Sequence, residues 1–233
     1  MPKLERRGCF ANRKLNLMRN TVAAAALALA CLAAAPAPAL AHPHVWVAVK
    51  AEAILGPDGK VVAIRHHWTF DDMYSAFVTA NLGKDGQPPT SEDLQPVAQT
   101  NVESLKEFDF FTYGKLNGKP VTYADPKDYS MTYDAKEEMA TLHFTLPLAK
   151  PADTKRAFAF AVYDPSYFVA FTFEKGDAVK LEGGPKGCSM SVLKPQALNA
   201  EEQKKLDQAM TENFSPGDDF AFRLADRAIV ACP

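Results

Sequence analysis

The imidazoles carry the most usable chemistry in this sequence. His42 and His44 flank Pro43 in the stretch AHPHVWV. Two apart on an extended chain, they point to one side and can share a borderline divalent ion: zinc first, with copper, nickel or cobalt as competitors. If processing makes His42 the first residue, its α-amino nitrogen becomes a third donor, in an arrangement similar to the histidine brace of copper proteins. Pro43 has no amide proton, which excludes the other amino-terminal copper site, since that site needs a deprotonatable amide at the second residue. Carboxylates come from farther along. A hairpin turn centred near Asp58 opposes residues whose numbers sum to about 116, so His44 faces Asp71 and Asp72. That register sets His66 opposite Lys50, away from the ion, and His66-His67 reads as one packed and one exposed histidine. His143, on an amphipathic strand, is a reserve ligand. The expected donor set is His42, His44, Asp71, Asp72 and His143. Plainer readings stand beside it: a frayed, solvated tip, a helix cap at Asp71 and a hydrogen-bonded strand histidine at His143.

What precedes His42 decides whether it can be a terminus. From Met18 the chain has a basic start, an apolar run and a small-x-small site at Ala39-Leu40-Ala41. These are the three parts of a secretory signal, so residues 1–41 read as leader and signal peptide and 42–233 as one domain. Arg6-Arg7 is a weak twin-arginine feature, and Cys31 offers a rival reading as a lipidated cysteine. Cleavage after Ala41 leaves 192 residues (233 − 41), with 20 basic (26 − 6) and 27 acidic (28 − 1) side chains. A balance of −7 argues against nucleic acid or an anionic membrane and mildly favours cations. Cys188 and Cys232 remain after cleavage and read as a disulfide in an exported chain.

The elements that must position these groups are legible as a run of strands with a few helices. Residues 44–55 and 60–70 alternate as strands about the turn Gly56-Pro57-Asp58-Gly59. Helices are expected from Asp71-Asp72 to Ala80, from Ser91 to Phe108, and over 200–213. Further strands are expected at 110–116, 119–123, 129–133, 139–146, 158–163, 169–174 and 220–231. Strands joined by short turns imply antiparallel sheets with two or three helices packed against them, an α+β fold.

Other chemistry finds little support. Asn81–Glu92 has the spacing of a calcium-binding EF-hand loop, but Gly83 occupies a ligand position and Pro88 an apolar one, so calcium affinity should be poor. There is no nucleophile elbow, HExxH pair or phosphate-binding glycine loop. Asp164, between Tyr163 and Pro165, reads as a turn residue rather than a catalytic acid. The pattern argues for a binder, not an enzyme.

Taken together, AHPHVWV, IRHHWTFDDMYSAF and VYDPSYFVAF resemble the DUF1007 family of bacterial periplasmic proteins. The resemblance rests on a post-signal His-Pro-His, a Trp-x-Phe-Asp segment and a later Asp-Pro-x-Tyr segment, which here are His42, His44, Trp68, Phe70, Asp71, Ser75, Tyr163, Asp164, Pro165 and Tyr167. It implies a periplasmic accessory protein working beside a nickel/cobalt-exporter-like inner-membrane permease and linked to zinc handling. Two rivals remain. One is a copper protein of brace type. The other is an interaction module that docks a membrane transporter through the aromatics around Trp68 and Tyr163–Phe171.

Overall fold

The computed structural model describes residues 44–84, 86–155, 157–195, 197–212 and 218–233; His42, Pro43 and the residues before them lie outside this set. Strands β1 (Val45–Leu55) and β2 (Val61–Phe70) form the expected hairpin. Val47, Val49, Ala51 and Ala53 face inward from β1, and Ile64, His66, Trp68 and Phe70 from β2, which is the period-two pattern of a half-buried sheet. Gly59 takes φ 77° in the turn, a conformation open to glycine at no steric cost. A bulge between Ile54 and Leu55 then moves the register by one residue. Beyond it Lys50 pairs with His67 and Ala51 with His66, so the expected His66–Lys50 pairing is corrected.

Two sheets face each other across one core. The first runs β5 (Lys127–Asp134), β6 (Met139–Ala152), β2, β1 and β8 (Val169–Phe173), with β9 (Val179–Gly183) following β8 along the same edge of β1. Its pairings are antiparallel except β1 with β8 and β9, which are parallel. The second is antiparallel, in the order β10 (Ser189–Leu193), β11 (Arg227–Ala231), β7 (Phe158–Val162), β3 (Thr112–Leu116) and β4 (Lys119–Pro120). Ring contacts of Phe160 with His66 and Phe173 join the facing layers. Helices α1 (Asp72–Thr79), α2 (Gln95–Leu105), α3 (Ala200–Glu212) and α4 (Asp218–Leu224) complete the α+β architecture. Among the described residues no helix is long and apolar enough to cross a membrane.

Several boundaries depart from the sequence reading. Helix α2 stops at Leu105, passes into a 3-10 segment (Lys106–Phe111), and ends in three consecutive residues of positive φ, Asp109, Phe110 and Phe111. That reversal delays β3 to Thr112. β4 is only two residues long: Val121 still donates to the Gly114 carbonyl of β3, but Thr122–Ala124 crosses to β6, where Tyr123 bridges Leu148. The strand expected over 220–231 is helical to Leu224; Ala221 and Phe222 pack in a small cluster with Ala161 and Tyr163 on the outer face of the second sheet. Cys188 and Cys232 extend the β10–β11 ladder by one pair and are disulfide-bonded, as expected.

Candidate metal-binding residues

His44 sits at the entrance to β1 and is exposed. It is nonetheless held: its backbone N–H donates to the Phe168 carbonyl at 2.8 Å, and its ring lies 4.6 Å from the Phe168 ring. Asp71 is close by, but its carboxylate serves the backbone. Oδ1 accepts from the Tyr74 N–H at 2.8 Å, capping α1, and Oδ2 accepts from the Trp46 N–H at 2.6 Å, tying the end of β2 to the start of β1. Asp72 is exposed in the first turn of α1, where its Oδ1 accepts from the Met73 N–H at 2.8 Å. Among the described residues no three His, Cys, Asp or Glu side chains gather around one point. His44, Asp71, Asp72 and His143 therefore do not converge by themselves, and a site at this end needs His42.

His143 is brought to a different place. It pairs with His67 across β2 and β6, and His67 pairs with Lys50, six residues along β1 from His44, or about 20 Å at strand rise. The Nδ1 atoms of His67 and His143 are 2.7 Å apart, and His143 Nε2 lies 2.9 Å from Thr132 Oγ1 on β5. Both rings are half-buried on the outer face of the first sheet. Burial holds the His67 pKa below the usual imidazole value; Glu52 opposes that shift, while Arg65, Lys50 and Lys180 add to it. Burial lowers His143 as well, with His67 second. His67 was missed as a candidate because nothing local in the sequence aligns it with a residue 76 positions away.

His66 faces inward and is fully buried, as expected of one of the two, whereas His67, expected to be exposed, is half-buried against His143. The Trp68 indole N–H donates to its Nδ1 at 3.2 Å, which leaves the proton on Nε2, facing Thr112 Oγ1 at 3.3 Å. Thr112 in turn donates to the Phe110 carbonyl at 2.8 Å, within the left-handed turn. Burial, then the neighbouring His67, pushes the His66 pKa down to about 3. A second proton would also meet the indole N–H head-on. His66 is structural, and it is an unsuitable ligand because both nitrogens are committed.

The model of the family described as "Protein of unknown function (DUF1007)" matches residues 27–232. The chain belongs to the DUF1007 family. It is similar to an uncharacterized protein of Haemophilus influenzae, 24% identical over 168 residues that cover 71% of this chain and 79% of the relative. It is also similar to an uncharacterized 15.5 kDa protein in the trpE 3' region of Spirochaeta aurantia, 26% identical over 98 residues that cover 41% of this chain and 69% of the relative.

Most of the motif residues on which the DUF1007 resemblance rests prove to be architecture. Trp68 is buried between Phe144 and Phe171, so it offers no docking surface. Ser75 donates to the Phe70 carbonyl at 3.3 Å and accepts from the Ala140 N–H at 2.9 Å, fastening α1 to β6. Asp164 organises its own turn: Oδ1 accepts from the Ser166 N–H and hydroxyl at 2.8 and 2.7 Å, and Oδ2 from the Val169 N–H at 3.0 Å. In the twelve-residue loop, Asp85 lies outside the described residues, and Lys84 pairs with Asp93 at 3.6 Å. His44, the described member of the His-Pro-His segment, is solvent-facing at the entrance to β1.

Proposed function

We propose that this DUF1007 chain is an exported, non-enzymatic accessory protein of the periplasm that takes up a divalent cation, zinc foremost, and exchanges it with an inner-membrane permease. Nickel, cobalt and copper are the competing cargoes, and affinity order favours copper where it is available. The donors are His42 and His44, with Asp72, an exposed carboxylate in the first turn of α1, as a further candidate; Asp71 serves by holding the strand entrance. The observation that carries this reading is the anchorage of His44. Its amide and ring are tied to Phe168, so this imidazole is held at a fixed point at the entrance to β1. Fixing one imidazole lowers the entropy lost when a second converges on a shared ion. Supporting features are the signal-like leader, the excess of acidic residues after it, and the disulfide, which suits an oxidising compartment. A site with few protein donors remains open to ligand exchange, whereas enclosed tetrahedral sites tend to be structural.

Zinc titration of the protein cut after Ala41 tests the assignment. The His42→Ala/His44→Ala variant should bind at least about tenfold more weakly at this site. Equal binding by parent and variant rejects it. Retaining one extra residue before His42 separates the brace arrangement, because copper binding that needs the free amine is then lost.

A further inference from the structure

The outer face of the first sheet holds a second pair of imidazoles, independent of the strand entrance. Nδ1 of His67 and Nδ1 of His143 are 2.7 Å apart, a separation at which one nitrogen must carry a proton and the other must accept it. Both rings thus aim a nitrogen at one point between two strands of a rigid sheet. His143 is oriented from behind, since Thr132 Oγ1 lies 2.9 Å from its Nε2. A hydrogen-bond partner on the far ring nitrogen is the arrangement that fixes tautomer and direction in metal-ligating histidines.

We propose that His67 and His143 form an open site for a zinc-class divalent cation, in which the ion takes the place of the proton shared between the two Nδ1 atoms. Each Nδ1 gives a lone pair. The displaced proton returns through solvent to Nε2 of the ring that carried it, so both imidazoles stay neutral and no net charge is lost. Two nitrogens about 2.0–2.1 Å from a tetrahedral zinc lie roughly 3.3 Å apart. The pair must therefore open by about 0.6 Å, a movement within the reach of small side-chain rotations. Among the described residues no third His, Cys, Asp or Glu joins them, so the remaining positions belong to water or to a donor from an exchange partner.

The surroundings tolerate a cation. Lys50 is paired with Glu174 at 2.9 Å, and Arg65 with Glu52 at 2.7 Å and with Glu182, so these positive charges are locally balanced. Glu52 acts on His67 attractively, against Arg65, Lys50 and Lys180. Burial lowers the pKa of both rings, which reduces competition from protons.

This site stands on its own geometry and not on the His42–His44 reading, and one experiment separates the two. Zinc stoichiometry and affinity are measured by calorimetry for the protein cut after Ala41, for His67→Ala/His143→Ala, for His42→Ala/His44→Ala, and for all four changes together. We expect one site to be lost in each double variant and both in the quadruple. Loss only in His67→Ala/His143→Ala leaves this proposal standing and removes the strand-entrance reading. If His67→Ala/His143→Ala binds as many ions, as tightly, as the parent, the proposal is overturned. Thr132→Val should weaken the second site alone by about 10–100-fold, with Thr132→Ser restoring it. Imidazole nitrogen resonances of the unaltered protein guard against misfolded variants: zinc must shift Nδ1 of both His67 and His143, and unchanged resonances at saturating zinc also overturn the site.

Discussion

Replacing Asp71 by alanine removes the acceptors for the Trp46 and Tyr74 amides together. Loss of a helix cap alone costs about 1–2 kcal/mol, so urea denaturation should show at least that destabilisation for Asp71→Ala and less for Asp71→Asn. An unchanged midpoint would mean that the carboxylate is not structural. His66 supplies a pH dependence. Its pKa in the folded protein is about 3, below the ordinary imidazole value near 6.5, so between those values the unfolded chain holds a proton that the folded one does not. The contribution of the neutral ring to stability is complete above about pH 6.5 and declines as pH falls toward 3, by at most about 1.4 kcal/mol per pH unit. Denaturation midpoints at pH 7 and pH 4.5 should therefore differ more for the parent than for His66→Leu. Equal pH slopes would show that His66 is not the titrating group. Which histidine packs inward was readable from the alternation of β2. Its bonds to Trp68 and Thr112 were not, because Thr112 arrives from the opposite sheet.

Local elements were legible where local chemistry sets them. The Gly56–Gly59 turn and the alternation of β1 and β2 predicted their hairpin, and acidic residues at the start of α1 predicted its first turn. The bulge after Ile54 was not, and one residue of slip was enough to place Lys50 opposite His67 instead of His66. The helical Phe220–Phe222 segment looked like a strand because a short apolar run has no clear period. Pairing of β6 with β2 is likewise non-local, and it is the pairing that takes His143 from the strand entrance to His67. The fastening of α1 to β6 gives a prediction at this scale. Ser75→Ala leaves the buried Ala140 N–H without its acceptor, which costs about 1–3 kcal/mol. Chemical denaturation should register this loss, and faster hydrogen exchange at Ala140 should accompany it; protection equal to the parent's would contradict the role given to Ser75.

At the level of the whole molecule, two sheets share one core, and the Cys188–Cys232 bond closes the β10–β11 end of the second sheet. The bridge spans 44 residues of sequence, and its reduction should lower stability by about 2–4 kcal/mol, read as a drop in melting temperature with reductant; no drop would show that the bond adds nothing. The α+β class and the disulfide follow from sequence patterning, whereas the division of strands between two sheets depends on long-range pairing that patterning does not encode. Function is proposed at the same scale: a rigid sandwich presents imidazoles at the β1 entrance, with a second pair on an outer face. Diffraction at the zinc absorption edge, on crystals of the protein cut after Ala41 and soaked in zinc, tests that claim most directly. The account predicts an anomalous peak bonded to His44 and His42, and crystals with zinc bound elsewhere but none at those two imidazoles would contradict it.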